Sequence, residues 1–520
     1  MAGIRDQIVW QPDSPQAVAA RFQGEPDPSL PPVHASFRFF NLTNLAAVRL
    51  GAKPVLQEVG PYTFRQVRRK TAIRWLDGDA AVQWLEYKYH LWEPQLSNGS
   101  MQDAITTLNL PLIGALEAIG RLPAGRAAWL LELLLGWVER LGDHRVQGLF
   151  TTRTAGELLW GYQDPLLVQL SRWLPGINPT FRLAHNMSSA AEAALGLPTQ
   201  AATGARGLQG VWQTQRWQGV SELTCWNPPH KEAVRGTDAS QFRPGLALND
   251  TVDVWVSDLY RAARLVVKEA VPLEGVPLLR LRADPSQGDP DPRFFQSIRG
   301  LMNVTTPTAV GPSGQPGKPG PPIFLSYPHY CGADPSLARG VEGLACDPPA
   351  HDLFVDVEPN TGITLRAAKR LMMSSWFGPK WGTIDPSLTP TFLPIFWAEL
   401  ASQARGPQLR QFRPLLRARA AQRALRTYAV PLAEALGLLA VACFCVATVL
   451  WSEQDDGEVE EAGKRSAAAA GLAEAGQQRI RPPPREPLSE PLLDSHPLQS
   501  QDAGAAAEEA VAAAAVPESP

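Results

Sequence analysis

The sequence predicts an α+β fold built mainly from antiparallel strands, with one helical region and a membrane-spanning helix near the C-terminus. Residues 82–92 alternate aromatic or β-branched side chains with polar ones, which is the two-residue period of a half-buried strand. Residues 127–141 are apolar around most of a helical circumference. Residues 428–451 form an uninterrupted 24-residue stretch of mostly apolar side chains. Neither an all-helical nor an all-strand chain would combine these three patterns.

Strand patterns dominate the middle of the chain. Residues 37–92 alternate between aromatic or β-branched positions and polar ones. Between residues 205 and 400, short apolar runs are separated by Pro, Gly and Asn, which is typical of antiparallel strands joined by turns. We therefore predict strands within 208–225, 253–268, 322–327 and 353–371, and a Gly- and Pro-rich loop at 311–322.

A small helical cluster is predicted at 103–170, where apolar residues recur at helical spacing. Its helix at 127–141 carries more apolar surface than a helix resting on one core face needs, so a second apolar contact is implied. That contact is either a neighbouring helix, which would bury the surface, or a docked ligand. The residues predicted to take part in docking are Trp129, Leu130, Leu133, Leu134 and Trp137.

The apolar stretch at 428–451 predicts a transmembrane helix. At about 1.5 Å per residue it is long enough to cross roughly 30 Å of hydrocarbon, and Glu434 near its start is its only ionisable residue. The following residues begin with an acidic patch and continue as Ala-, Pro- and Glu-rich low complexity, which buries too little surface to offset chain entropy. We predict an ectodomain at 37–427 and a disordered cytoplasmic tail at 452–520.

Composition and motifs argue against several functions. The net charge of -3 and the pI near 6.3 disfavour a nucleic-acid partner, which requires a strongly basic surface. The sequence lacks a zinc-binding HExxH helix, a phosphate-binding GK(S/T) loop and a GxSxG elbow, so we predict no enzyme, cofactor or metal site. His329 and His351 have acidic residues nearby in sequence, but histidines scattered beside strands are more often hydrogen-bonded structural groups.

Five Asn-x-Ser/Thr sequons lie ahead of the membrane helix, and their spread favours a glycosylated ectodomain. Seven arginines within 405–426 precede the helix and acidic residues follow it, which under the positive-inside rule would place the large domain in the cytosol. The two topology signals therefore conflict. The predicted glycosylation sites are Asn41, Asn98, Asn186, Asn249 and Asn303.

A series of motifs resembles the class B scavenger receptors. The first is FRFFNLTN at 37–44 followed by LQEVGPYTFR at 56–65, a pairing more specific than either half alone. This family contains the fatty-acid translocase, the high-density lipoprotein receptor and the lysosomal integral membrane protein, and the chain looks nearest to the last branch. Further matches, in the order of the family, are TTLNLP (106–111), RTAGELLWGYQDPL (153–166), GTD (236–238), FLSYPHY (324–330) and FVDVEPNTG (354–362).

The resemblance implies a large antiparallel β-barrel-like ectodomain with a lipid-conducting tunnel, capped by an apical helical bundle at which proteins or lipoproteins dock. Family members have two membrane helices, and residues from Ile8 onward resemble the stretch after the first, so we expect that anchor to be missing from 1–36. Arg153 stands where the lysosomal branch carries an acid-sensing histidine. Because arginine does not titrate between about pH 5 and 7, we keep Arg153 as a partner-binding residue without a pH switch.

The cysteines depart from the family pattern. The positions of one lumenal family disulfide fall at Lys231 and near Tyr260 in this sequence. Two of the chain's five cysteines lie in the membrane stretch, which leaves Cys225, Cys331 and Cys346 for any bridge. Cys331 and Cys346 form either a private disulfide or free buried thiols.

We expect a non-enzymatic membrane glycoprotein that binds lipids or lipoproteins and passes cholesterol or fatty acids through its tunnel. Lysosomal or endosomal membranes are the favoured location, with the plasma membrane as the alternative. A sorting receptor for a lysosomal hydrolase is the rival function, and homo-oligomerisation stays open. The tail motif EPLLD resembles an acidic dileucine sorting signal, although Leu488 replaces its usual acidic residue; the predicted sorting residues are Leu492 and Leu493.

Overall fold

The chain divides into two compact units in the computed structural model, Met1–Gln422 and Arg423–Pro520. The predicted boundary between ectodomain and membrane helix lies close to this division. The structure describes residues 9–12, 31–120, 123, 129–130, 132–134, 136, 146–173, 178–184, 186, 196–312, 320–377, 389–410 and 412–473.

Antiparallel strands form most of the first unit, as the alternating patterns predict. The clearest of those patterns, at 82–92, is a strand with nearly the predicted bounds. In chain order the strands are β1 (Val33–Leu42), β2 (Leu56–Leu76), β3 (Ala81–Trp92), β4 (Ala104–Leu108), β5 (Val146–Gln147), β6 (Phe150–Thr154), β7 (Tyr162–Gln163), β8 (Thr180–Phe181), β9 (Thr199–Ala202), β10 (Thr214–Arg216), β11 (Glu222–Leu223), β12 (Glu232–Ala233), β13 (Thr251–Val256), β14 (Arg261–Leu273), β15 (Val276–Ala283), β16 (Met302–Asn303), β17 (Phe324–Ser326), β18 (Phe354–Val357), β19 (Thr364–Phe377) and β20 (Thr391–Gln403).

One large sheet contains 13 of the strands in the described ranges, and each of its strand pairs is antiparallel. Its strands follow the order β10-β9-β3-β2-β1-β20-β19-β18-β15-β14-β13, while β17 pairs with β19 and with β16. The first strand, β1, therefore lies beside the last, β20, which ties the two ends of the unit together. This arrangement confirms the predicted α+β class with a large antiparallel sheet.

A short segment joins the two edges of this sheet into a barrel. The Thr214 backbone N–H on edge strand β10 donates to the carbonyl of Gly236 at 2.8 Å. On the other edge, the Trp255 N–H donates to the Thr237 carbonyl at 2.7 Å, and the Thr237 N–H donates to the Asp253 carbonyl at 3.1 Å. Because β10 and β13 both bond to this dipeptide, three of their edge hydrogen-bonding groups have partners and the sheet is nearly closed.

The predicted helical cluster at 103–170 is only partly helical. It contains helices, but it also contains the three-stranded sheet β4-β6-β5. Helical prediction fails here because Ala104–Leu108 and Phe150–Thr154 are rich in threonine and other β-branched or aromatic residues, which favour strands. Within the described ranges, the α-helices with defined bounds are α1 (Leu45–Val48), α2 (Leu110–Ile119), α3 (Ala155–Trp160), α4 (Pro165–Trp173), α5 (Thr305–Val310), α6 (Pro335–Arg339), α7 (Pro348–His351), α8 (Gly406–Arg410), α9 (Arg413–Ala424) and α10 (Val430–Ala473).

Side chains from the sheet and from these helices share one core. Phe40 on β1, Ile113 on α2 and Ile395 on β20 are all almost fully buried in the same apolar cluster. Local signals fix the helix starts: the Asn109 side chain caps α2 by accepting from the Leu112 N–H, and a capping box starts α3. The small helices therefore sit firmly against one end of β1.

The C-terminal helix is the main element of the second unit. Ala420–Trp451 is long and apolar enough to cross a membrane, and its side chains are not buried, which supports the predicted transmembrane helix at 428–451. Helix α10 continues to Ala473, so the prediction of disorder is wrong for 452–473. Alanine is the strongest helix former, and acidic-basic pairs four residues apart within 460–465 add support. The rest of the predicted tail lies outside the described residues.

Candidate functional site

The inner face of the barrel encloses a cavity of about 2830 Å³. Pockets for drug-sized ligands usually measure roughly 300–1,000 Å³, so this space is far larger than one small polar substrate requires. Its walls include residues from β1, β2 and β3 and, across the sheet, from β13, β14, β18, β19 and β20. Strands from both ends of the sheet order therefore contribute to one cavity.

The cavity extends along strand β1. Val33 at the start of β1 lines it and pairs with Ser402, another lining residue near the end of β20. At the other end of β1, the Asn41 side chain accepts from the Thr106 N–H, and the nearby Leu110 also lines the cavity. On β1 itself the lining residues are Val33, Ala35 and Phe37, which at about 3.3 Å per residue span roughly 13 Å.

One wall of the cavity is an apolar stripe on β19 and β20. Successive strand residues point to opposite faces, so every second residue can face the cavity. Leu371 on β19 and Ala398 on β20 are register partners, and both line the cavity. We call this wall the apolar stripe and define it as Ala367, Leu371, Met373, Ala398 and Leu400.

Another wall is polar and comes from β2 and β3. Arg68 lies directly opposite Lys88, and Gln66 lies opposite His90. Arg68 Nε donates to Gln66 Oε1 at 2.7 Å, and Lys88 Nζ lies 3.1 Å from Glu86 Oε1. The cavity thus combines hydrocarbon-like surface with a localised group of charges.

These charges shift the pKa values of neighbouring groups. Burial would raise the pKa of Glu86, but the charges of Lys88 and Arg68 outweigh it and hold that pKa at about 2. Burial, reinforced by Lys88 and Arg68, lowers the pKa of His90 to about 4. The lowered pKa of the Glu86 carboxyl indicates positive potential at this wall, whereas that of His90 reflects mainly its burial.

Stacked tryptophans complete the lining beside the polar wall. The Trp212 ring lies between those of Trp10 and Trp84, with centroid distances of 3.9 and 5.3 Å. Lys70 Nζ lies 4.4 Å from the Trp84 ring centroid. Trp212 Nε1 donates to Asp238 Oδ1 at 2.6 Å, which fixes the stack to the segment that closes the barrel.

Comparison with known protein families gives a match over most of the chain. The model of the CD36 family matches residues 25–448, a range that includes every strand of the barrel and most of the apolar helix. The chain belongs to the CD36 family. The resemblance to class B scavenger receptors, inferred from separate motifs, is confirmed.

Relatives of this CD36-family chain come from two branches. Scavenger receptor class B member 1 of Cricetulus griseus is 30% identical over 392 residues, which cover 73% of this chain and 72% of the relative. Lysosome membrane protein 2 of Homo sapiens is 29% identical over 352 residues, which cover 66% of this chain and 69% of the relative. Identities this similar do not separate the two branches.

The predicted docking residues of this CD36-family chain do not share one exposed face. Trp129 is 64% exposed, and Leu130 and Leu133 are half-buried. Leu134 is 3% exposed and belongs to the main core cluster, so its assignment to a docking surface is wrong. At about 100° per residue, it lies on a different side of the helix from Trp129. Trp137 lies outside the described residues.

Arg153 is also wrongly assigned to a partner-binding surface. It is 1% exposed on β6, and its guanidinium lies 4.5 Å from the ring centroid of Tyr162. A side chain at this depth cannot touch a docked protein unless the fold opens. The family motif that contains Arg153 therefore marks a packing position in this chain.

The predicted glycosylation sites differ in accessibility. Asn98, Asn186 and Asn249 are exposed, and the Asn186 side-chain oxygen accepts from the His90 N–H at 3.0 Å. Asn41 and Asn303 are half-buried, with side-chain oxygens that accept backbone N–H groups. Glycosylation of all five stays a prediction, and accessibility favours the three exposed sites.

Cys331 and Cys346 are joined in a disulfide, with their Cα atoms 5.1 Å apart. This pairing uses the two sulfur atoms that would otherwise form a metal-ligand group with His351. Cys225 has a free thiol, and burial raises its pKa to about 11. Of the two alternatives for Cys331 and Cys346, the structure therefore contains the private bridge.

Glu58, from the motif that first indicated the family, organises a partly buried polar cluster. Its Oε2 accepts from Trp397 Nε1 at 2.9 Å and lies 2.6 Å from His329 Nε2. His329 stacks on His351 with centroids 4.4 Å apart, and its Nδ1 accepts from the Ala345 N–H. Both histidines therefore have hydrogen-bonding and stacking partners within the fold.

Sequence reasoning missed the charged residues that face the cavity. Lys369 is the clearest case, because it interrupts the apolar stripe on β19 and pairs with Asp258. Strict alternation along 365–373 could have revealed one lysine among inward-facing apolar residues. The sequence alone does not show that Lys369 lines the cavity, because tertiary structure decides which face of a strand points inwards.

Proposed function

We propose that this chain is a membrane receptor that binds lipids or lipoproteins and passes lipid, such as cholesterol or a fatty acid, through the cavity of its barrel. The observation that carries the proposal is the cavity itself, because its volume and apolar stripe suit a long hydrocarbon chain. Transfer of apolar surface from water into such a cavity is favourable without any chemical step. The proposed role is therefore non-enzymatic.

The proposed route runs along the barrel axis. Its lining begins near Leu110 at the start of α2 and reaches Ala404 and Phe412, which precede the apolar helix in sequence. A lipid bound at such a depth would stay shielded from water over most of its length. The membrane helix would keep the receptor next to the bilayer that donates or receives the lipid.

Blocking the cavity tests this role. In cells expressing the full chain, Ala398→Trp should reduce uptake of a fluorescent lipid severalfold, because Ala398 lies on the apolar stripe and an indole would fill the space beside it. The matched control is Ala233→Trp, since Ala233 is exposed and does not line the cavity. Both variants are compared at equal amounts of folded protein. Normal uptake by the blocked variant would reject the proposed route.

We further propose a lysosomal or endosomal membrane as the location, with the plasma membrane as the alternative. Relatives named as a lysosome membrane protein and as scavenger receptors support the two locations about equally. Imaging of a tagged full chain, with Leu492→Ala and Leu493→Ala as the variant pair, tests the predicted sorting signal. Glycosidase digestion of the same sample tests topology, because cytosolic sequons receive no glycans.

Exposed Trp129 supports a second candidate role, the docking of a lipoprotein or of a lysosomal hydrolase. Tryptophan is enriched at the centres of binding sites, and Trp129 is 64% exposed beside half-buried Leu130 and Leu133. Trp129→Asp should abolish co-precipitation of a docked protein. If lipid uptake from protein-free micelles persists in that variant, docking and lipid passage are separate activities.

A further inference from the structure

Five of the charged residues that line the cavity come from the β2–β3 wall, from β19 and from the turn between β13 and β14. Arg68 and Lys88 contribute positive charge from the β2–β3 wall, and Glu86 lies beside them. Lys369 contributes a further positive charge from β19, and Asp258 comes from the turn between β13 and β14. We call these five side chains the charged belt.

The belt connects three separate parts of the barrel wall. Lys369 on β19 forms an ion pair with Asp258. The charge of Lys369, and more weakly those of Lys88 and Arg68, lower the pKa of the Asp258 carboxyl. Asp258 therefore lies within electrostatic range of both the β2–β3 wall and β19. The Asp258 side chain is 53% accessible, and the residue is part of the cavity lining.

The belt has more positive than negative charge. Arg68, Lys88 and Lys369 oppose only Glu86 and Asp258 among its five members. Arg68 donates from Nε to the uncharged side chain of Gln66. Lys70, close enough to lower the pKa of Glu86, adds to the excess.

The positive charges of Arg68, Lys88 and Lys369 repel one another, although water partly screens the accessible side chains of Lys88 and Lys369. An anion placed within the belt would reduce that repulsion, and it would receive charge-assisted hydrogen bonds. Arg68 and Lys88 suit this purpose because they face each other across adjacent strands. On β19, Lys369 alternates with Ala367 and Leu371 of the apolar stripe, so hydrocarbon contacts are available directly beside the charge.

We propose that the charged belt binds the anionic headgroup, a carboxylate or a phosphate, of a single-chain amphiphile whose hydrocarbon chain lies along the apolar stripe. This inference rests on the proposed function, since the ligand must first enter the cavity. It adds a selection by charge, so that anionic lipids are held at the belt while neutral lipids are not.

Binding to the purified full chain in detergent micelles tests the selection. Three fluorescent probes share one long hydrocarbon chain and end in a carboxylate, a phosphate or an alcohol. We expect at least one anionic probe to bind about tenfold more tightly than the alcohol, the effect of one charge-assisted hydrogen bond. The tighter of the two anions identifies the headgroup.

Substitutions within the belt identify the residues responsible. Arg68→Gln and Lys88→Gln should each weaken anion binding about tenfold and leave alcohol binding unchanged. Asp258→Asn should have the opposite effect and strengthen anion binding, because it removes negative charge from the belt. The matched controls are Arg206→Gln and Lys53→Gln, whose exposed side chains do not line the cavity.

The outcomes separate the belt from the cavity. Equal binding of all three probes, or equal loss of anion and alcohol binding in Arg68→Gln and Lys88→Gln, overturns the belt while lipid binding in the cavity stands. Weaker anion binding by Asp258→Asn also overturns it, since that result indicates a structural role. Failure of every probe to bind the unmodified chain contradicts the proposed function itself.

Discussion

Gly236 closes the barrel at a point where a side chain has no room. Its φ is +89°, and a Cβ atom there would lie 2.5 Å from the Asp253 carbonyl carbon. The GTD motif that helped to indicate the family therefore has a steric explanation. The Gly236 carbonyl also accepts from the Thr214 N–H on β10, so a shift of this residue would disturb the closure of the sheet.

Gly236→Ala should lower the free energy of unfolding by about 3 kcal/mol, because it adds backbone strain and a clash with the chain of β13. Denaturant unfolding of the full chain, followed by tryptophan fluorescence, measures the loss. Gly275→Ala is the matched control: its φ is +83° but no atom lies within 4 Å of the added Cβ, so only the strain of about 1 kcal/mol applies. Equal losses would contradict the steric account.

His90 makes stability depend on pH. Burial holds its folded pKa at about 4, below the ordinary 6.5, so between these values the unfolded chain binds a proton that the folded chain excludes. Its contribution is fully present above pH 6.5 and decreases as the pH falls towards 4. His90→Gln should reduce the stability loss between pH 6.5 and 5 by about 1–2 kcal/mol. Parallel stability profiles for the two proteins would contradict this assignment.

Neighbouring strands are held together by an ion-pair cluster outside the cavity. Asp356 on β18 is fully buried and receives hydrogen bonds from Arg280 on β15 and Arg366 on β19, at 2.7 and 2.6 Å. The Arg280 guanidinium also lies 4.4 Å from the Phe354 ring centroid. Three adjacent strands of the barrel therefore share one carboxylate.

Asp356→Asn should destabilise the chain by about 3 kcal/mol, because two arginines would lose their shared buried anion. Thermal and denaturant unfolding of the full chain measure the effect. Glu222→Gln serves as the control, since Glu222 is 47% exposed and pairs with the exposed Lys231, where a lost ion pair costs about 1 kcal/mol or less. A smaller effect for Asp356→Asn than for Glu222→Gln would contradict a role of Asp356 in holding the three strands together.

Elements were predictable from sequence where one local pattern dominated. Strand β3 has a clear two-residue period. The apolar helix Ala420–Trp451 has a length and composition that suit a membrane span. Prediction failed at β4 and β6, where strand-forming threonines lie within a helical window. It also failed at 452–473, where low complexity suggested disorder although alanine and spaced charge pairs favour a helix.

At the level of the whole molecule, the nearly closed sheet forms the cavity, and the proposed charged belt would make it selective. The family resemblance predicted the barrel, but no local pattern reveals which strand faces point inwards. Leu134 and Arg153 illustrate this limit, because apolar spacing and motif position suggested surfaces that the fold buries. The belt residues show the opposite error. In the sequence, Arg68 and Lys369 resemble ordinary surface charges, but in the structure they line the cavity.

Photo-crosslinking provides the most direct test that lipid occupies the barrel. The full chain in membranes is exposed to a photoactivatable single-chain lipid, irradiated and mapped by mass spectrometry. We predict adducts on cavity-lining Leu371, Met373 and Leu400 that an excess of unlabelled lipid removes. Adducts confined to the apolar helix and to outward-facing Leu50 and Leu96, which are 87% and 51% exposed, would contradict a lipid-filled barrel.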